Sequence, residues 1–305
     1  MKWLFAVFAL LALVFFMFGR RTEDPSQHAG DTKQGITSQH RATRIPSPEI
    51  SRPPNPSPAP IASSRPAGSL ETAPSAGAAA DAKSLGPATR EYVVEDGVAV
   101  IEGDIVIGLP GTAGRQAQVP KITPWPTHEI PFYIQPSVPD PARIAEALTA
   151  FDQTAIRFVP YSNQRDVLVF QNGEGRCKSY MGKIGGKQPI FLAANCGPHE
   201  IAHELMHAIG FIHEQNRADR EGAIRVNKEN IDPTAVANFE KLPSDFMVLT
   251  GLAPFDFTSI MLYPPTMFSR NGDPTISSAT GTEIQPSQRL SHDDVARINS
   301  FYGSR

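Results

Sequence analysis

Sixteen consecutive apolar residues, Trp3 to Phe18, open the chain behind Lys2 and ahead of Gly19, Arg20 and Arg21. From Thr22 to Arg90 the hydrophobic pattern vanishes: no Phe, Tyr, Trp or Val occurs, and Pro, Ser and Ala dominate. Such a stretch cannot bury enough apolar surface to offset the entropy of ordering it, so it predicts a spacer, extended where prolines cluster between Pro46 and Pro60. Patterning returns at about Glu91. Tyr92 to Val100 and Ile105 to Ile107 read as short strands separated by Glu102-Gly103-Asp104. A flexible break follows from Leu109 to Arg115. Ile130–Ile134, Arg157–Val159, Val167–Phe170 and Ile190–Ala193 read as further strands. Asp140 before Pro141 predicts a helix start, with Ile144, Leu148 and Phe151 at helical spacing behind it. Pro198 opens a second helix running to about Gly210. A capping box of Ser291 and Asp294 starts the last one, which turns Val295, Ile298 and Tyr302 inward. Strands early and helices late predict an α+β fold, a small sheet backed by helices.

Composition narrows the function. The 305 residues carry a net charge of −3, which leaves no electrostatic footprint for nucleic acid. Two cysteines, Cys177 and Cys196, exclude a disulfide-dense scaffold and a four-cysteine zinc module. The apolar start has the layout of a targeting segment. As a helix it would span roughly 24 Å, short of the ~30 Å hydrocarbon core. It lacks the small residues of a cleavage site, so residues 1–21 are read as a signal peptide or an uncleaved signal anchor. Arg20 and Arg21 lie on the wrong side for an outward-facing anchor. The expectation is an exported chain, secreted, periplasmic or tethered, that meets membrane only through this segment. Residues 22–90 are the spacer, and one folded domain follows.

The chemistry concentrates in HEIAHELMHAIGFIHEQNR, from His199 to Arg217. On a helix, residues four apart share a face, so His203 and His207 can offer two imidazole nitrogens to one metal ion. Glu204 lies between them and can reach a metal-bound water without being a ligand. Gly210 lets the backbone leave the helix, and the chain can bring His213 back as a third ligand. Three protein ligands leave a position open, the arrangement of a catalytic zinc site. His199-Glu200-Ile201-Ala202-His203 repeats the pattern one turn earlier. In that frame Met206 and Ile209 fall where the glycine and third histidine belong, so the frame beginning at His203 is preferred.

HELMHAIGFIHEQNRADRE resembles the zinc signature of the astacin family of metzincin proteases, and FTSIMLYPP resembles that family's Met-turn with its tyrosine. IPFYI, AIRFVPY, RCKSYMGKIGG and LSHDDVARINSFY extend the likeness from about Trp125 to Tyr302. The resemblance implies a two-lobed, zincin-like catalytic domain over residues 119–305, with a small twisted mixed sheet, a zinc-binding active-site helix and a C-terminal helix. It implies one Zn2+ on His203, His207 and His213, with Glu204 as general base acting on protein or peptide substrates. Met261 would floor the site, and Tyr263 would be an extra ligand that swings to stabilise the oxyanion. Cys177 and Cys196 match one family disulfide, which needs an oxidising compartment. Glu214 would be structural. Ile101-Glu102-Gly103-Asp104-Ile105 resembles a propeptide motif whose aspartate occupies the zinc, making residues 91–118 a propeptide and Asp104 a ligand in the latent form only. An activating protease would then cut between Ile107 and about Ile122, with Arg115 suited to a trypsin-like enzyme. The chain departs from the family at Leu262, usually histidine, at Glu221, usually aspartate, and in lacking a second disulfide. A tethered peptide-binding module and a zinc hydrolase of non-protein substrates are the rival classes.

Overall fold

Residues 88–112 and 114–304 are described in the computed structural model. The N-terminal apolar run and the spacer up to residue 87 lie outside the described residues. Eight strands form the main sheet, in the order β2-β3-β4-β9-β10-β8-β6-β7. They are β2 (Val93–Glu95), β3 (Val98–Ile101), β4 (Ile105–Gly108), β6 (Glu129–Ile134), β7 (Arg157–Pro160), β8 (Val167–Asn172), β9 (Lys178–Tyr180) and β10 (Lys187–Leu192). Two small antiparallel pairs complete the β structure: β1 (Thr89–Glu91) with β5 (Gln116–Gln118), and β11 (Ile224–Val226) with β12 (Ile276–Ser278). The helices are α1 (Ala142–Thr149), α2 (Pro198–Ile209) and α3 (His292–Tyr302). Among the described residues no helix is long and apolar enough to cross a membrane.

Several local details differ from the pattern-based expectation. The apolar run from Tyr92 is two strands, because Asp96 (φ 49°) and Gly97 (φ 74°) form a tight hairpin turn between β2 and β3. Strand β1 starts at Thr89, inside the stretch assigned to the spacer, and its central residue Arg90 is buried, donating to the Lys241 carbonyl. Helix α1 starts one residue later than expected, with Pro141 at the N-cap, since Asp140 has a left-handed backbone (φ 47°).

The sheet is larger than the sequence suggested because upstream strands extend it. β4 pairs in parallel with β9 through Ile105–Ser179 and Val106–Tyr180, and β3 and β2 follow outward. Ile101, Ile105 and Ile107 pack with Ile122, Met181 and Ile212 on one side of this extension. Val98, Val100 and Val106 pack with Phe191 on the other.

Helix α2 is buried almost all round, with Ile201, Leu205, Met206, Ala208 and Ile209 in the principal core beneath β6, β8 and β10. Its first turn is closed by Glu200, whose carboxylate accepts from the Gly197 amide at 2.8 Å. Its end is held by Trp125 Nε1 donating to Ala208 O (2.9 Å) and Tyr302 OH donating to Ile209 O (2.7 Å). Gly210 then turns the chain with φ 113°, where a Cβ would meet Leu249 and Ile122 at 3.2–3.3 Å. The Cys177–Cys196 disulfide ties the start of β9 to the loop before α2, and closing a loop of 19 residues contributes about 3 kcal/mol.

Asp294, buried on α3, links this helix to the turn at Ser259. Its carboxylate accepts from Ser259 Oγ (2.8 Å), Ile260 N (3.0 Å) and Ser291 N (3.0 Å). Asp294→Ala strands all three donors and is predicted to cost about 3 kcal/mol in denaturant titration. The exposed His292→Ala on the same helix is predicted to cost under about 0.5 kcal/mol. A loss below about 1 kcal/mol for Asp294→Ala would contradict this account of how the turn is held.

Candidate metal centre

Four side chains converge from three parts of the chain. Helix α2 supplies His203 and His207, the segment after Gly210 supplies His213, and the turn between β3 and β4 supplies Asp104. Asp104 Oδ2 lies 3.3 Å from His213 Nε2 and 3.6 Å from His203 Nε2, and Asp104 Oδ1 lies 3.7 Å from His207 Nε2. His203 Nε2 and His213 Nε2 are 3.2 Å apart. Ligands at zinc distances in a tetrahedron stand roughly 3.3 Å from one another, so these separations fit one small cation.

The other ring nitrogens are already committed. Nδ1 of His203 donates to the Ile260 carbonyl and Nδ1 of His207 to the Phe211 carbonyl, both at 2.8 Å. Carbonyl oxygens only accept, which leaves each Nε2 lone pair aimed at the centre. His207 Nε2 and Asp104 Oδ1 are buried without a hydrogen-bond partner. Burial holds His207 down to about 4, neutral at pH 7, as a metal ligand must be. Burial also opposes charge on His213, yet the Asp104 and Glu102 carboxylates on either side push it up to about 9. Burial alone would raise Asp104, but the charge on His213 and the histidine rings around it hold it well below the usual carboxylate range. A single divalent cation at this point would partner every one of these atoms.

Beside these four side chains, Glu204 is buried on α2 with Oε2 unpartnered. Burial and the nearby Asp104 carboxylate push it well above the usual carboxylate range. The Tyr263 ring packs at a tilt against His213, centroids 4.8 Å apart, and its hydroxyl donates to the Glu102 carbonyl rather than meeting the histidine and Asp104 group. Burial raises its pKa well above the usual phenol value. Met261 is buried in the core within the turn whose Ile260 carbonyl orients His203, and its own carbonyl accepts from Glu214 N at 2.9 Å. The Glu214 carboxylate is buried away from the centre, accepting from Arg297 (3.0 Å), Arg217 (3.2 Å) and Asp256 N (2.7 Å). His199, one turn before His203, lines the cleft but is not part of the ligand group.

Four contributors were not singled out from sequence. Glu102 accepts from His213 Nδ1 at 3.0 Å. Ser179 donates its hydroxyl to the Glu204 carbonyl at 3.0 Å, fixing β9 to α2. Arg176 lies over the Phe268 ring, 4.9 Å from its centroid, so the two walls of the cleft meet above Gly103. Lys178 is fully buried, between Asp96 (2.7 Å) and Glu95 (3.2 Å) of the β2–β3 hairpin. An acidic residue two places before Asp104 was the one available signal for Glu102; the others depend on tertiary placement.

Residues 117–303 match the family profile described as Astacin (Peptidase family M12A). Zinc metalloproteinase nas-14 of Caenorhabditis elegans is 36% identical over 187 residues, covering 58% of this chain and 37% of that protein. Low choriolytic enzyme of Oryzias latipes is 33% identical over 215 residues, covering 67% of this chain and 78% of that one. The solved structure of high choriolytic enzyme 1, a hatching enzyme zinc-protease from medaka, superposes with a TM-score of 0.54 at 31% identity, over 60% of this chain and 94% of that one. The chain spans between 37% and 54% of the length of three nematode relatives, nas-14, nas-13 and nas-6. With the profile matched over residues 117–303, and an α+β mixed-sheet fold around a three-histidine centre, the chain belongs to the astacin family.

Proposed function

We propose that this chain is an exported zinc endopeptidase made in a latent form, with residues 91–118 as its propeptide and residues 119–305 as its catalytic domain. The observation that carries the reading is Asp104. A carboxylate from the upstream segment stands among His203, His207 and His213, at the position an open catalytic site keeps for water. Around it the same segment covers the cleft. Ser179 N donates to Asp104 O at 3.0 Å, and β4 occupies the edge of β9. Gly103 passes between Arg176 and Phe268 with φ +87°, where a Cβ would lie 2.9 Å from the Arg176 guanidinium.

His203, His207 and His213 would hold the zinc ion, with Asp104 beside them in the latent form. Zinc, when bound, supplies Lewis acidity that polarises a scissile carbonyl and acidifies water. Glu204 provides the base: its buried Oε2 takes a proton and then returns it to the leaving amine. The Tyr263 hydroxyl is engaged by the Glu102 carbonyl while the segment is docked. Once the segment leaves, that hydroxyl is free to donate to the oxyanion. The β9 edge vacated by β4 offers Ser179 N to the backbone of a substrate polypeptide. Cleavage by another protease at the exposed loop near Arg115 would start the release.

Three outcomes test this. Glu204→Gln is expected to keep one zinc per chain while turnover of a denatured protein, after removal of residues 91–118, falls about 10³–10⁴-fold; near-native turnover would exclude Glu204 as the base. Tyr263→Phe is expected to lower turnover about 100-fold with little change in KM, whereas a change in KM alone would assign it to substrate binding. Asp104→Ala in the intact chain is expected to raise proteolysis at least about tenfold over the silent precursor, as an unblocked site requires. A precursor equally silent with alanine there would rule out Asp104 as the block.

A further inference from the structure

Each ligand histidine needs an acceptor behind it, and the chain supplies these acceptors from different places. For His203 it is the Ile260 carbonyl and for His207 the Phe211 carbonyl, both within the region matched to the family. For His213 it is Glu102 Oε2 at 3.0 Å, a side chain from the upstream segment. Glu102 is 2% exposed, and its other oxygen is buried without a hydrogen-bond partner, so among the described residues His213 alone hydrogen-bonds this carboxylate. A buried carboxylate directed at one imidazole nitrogen fixes the ring's tautomer and orientation and makes the opposite nitrogen a better donor to a metal.

We propose that Glu102 is a positioning residue for the metal centre of the intact chain. It holds His213 in the ligating orientation, so that the upstream segment tightens the grip on zinc at the same time as it blocks the site. The inference rests on the reading that His203, His207 and His213 hold zinc, and goes beyond it by assigning a second carboxylate of the same segment. Departure of the segment therefore removes the acceptor behind the third ligand as well as the Asp104 carboxylate. The cleaved protein holds its metal less tightly than the precursor.

The test uses the full chain loaded with zinc, carrying Glu204→Gln so that no molecule cuts itself. Zinc release to a chelating dye is compared for the parent, Glu102→Ala and Glu102→Gln. Protection of the Ser179 amide from hydrogen exchange reports that the segment is still docked, and the slowly exchanging Nδ1 proton of His213 is followed by NMR. Glu102→Ala is expected to release zinc at least about tenfold faster and to lose that proton signal. Glu102→Gln should fall between alanine and parent, because a carboxamide oxygen still accepts the bond without the charge. Release at the parental rate from Glu102→Ala, with Ser179 still protected, overturns the proposal. Should alanine undock the segment, the glutamine variant decides: faster release with Ser179 protected supports the assignment, and the parental rate overturns it. A parent chain that binds no zinc would sink the underlying metal reading as well.

Discussion

One buried point, faced by three imidazole nitrogens and a carboxylate at separations of 3.2–3.7 Å, sets the terms for the rest of this fold. Lone pairs cannot be packed against one another in a dry interior without a proton or a metal between them. Everything nearby either holds those groups in place or controls what reaches them. Helix α2 carries two of the histidines and the buried Glu204 carboxyl, and it is clamped at its end by Trp125 and Tyr302. The turn at Ile260 orients His203 and is itself held by Asp294. Rigidity of the ligands is thus set by residues far along the chain, on α3.

The same point explains how the upstream segment stays. Its direct pairing with the sheet is only two residues of β4 on β9. More comes from its ends and side chains. The β2–β3 hairpin delivers Asp96 and Glu95 to the buried ammonium of Lys178, and the buried Arg90 of β1 donates to the Lys241 carbonyl. A buried ammonium left without its carboxylates is costly, so Lys178 favours the docked hairpin. Between these anchors Glu102 and Asp104 face the centre, and the Glu102 carbonyl occupies Tyr263. A strand, a salt bridge and a ligand group together give the segment several independent holds.

The sequence displayed some of this more clearly than other parts. Spacing alone placed His203 and His207 on one face, and Gly210 announced the turn that returns His213, because these are constraints of one helix and its end. Ser291 and Asp294 were legible as a cap, although the bonds from Asp294 to Ser259 and Ile260 were not, since they cross the fold. Strand β9 was missed: Lys178-Ser179-Tyr180 has no apolar alternation, and it is a strand only because β4 and β10 pair with it. Glu102 was visible only as a turn residue, since its role depends on meeting a histidine 111 positions later.

The most direct measurement is a crystal structure of the intact, zinc-loaded chain with anomalous data at the zinc edge. The account predicts a single zinc peak about 2.0–2.2 Å from Nε2 of His203, His207 and His213 and from one oxygen of Asp104. A peak on the three histidines with water in the fourth position, and the Asp104 carboxylate turned away, would contradict the claim that the chain blocks its own metal centre.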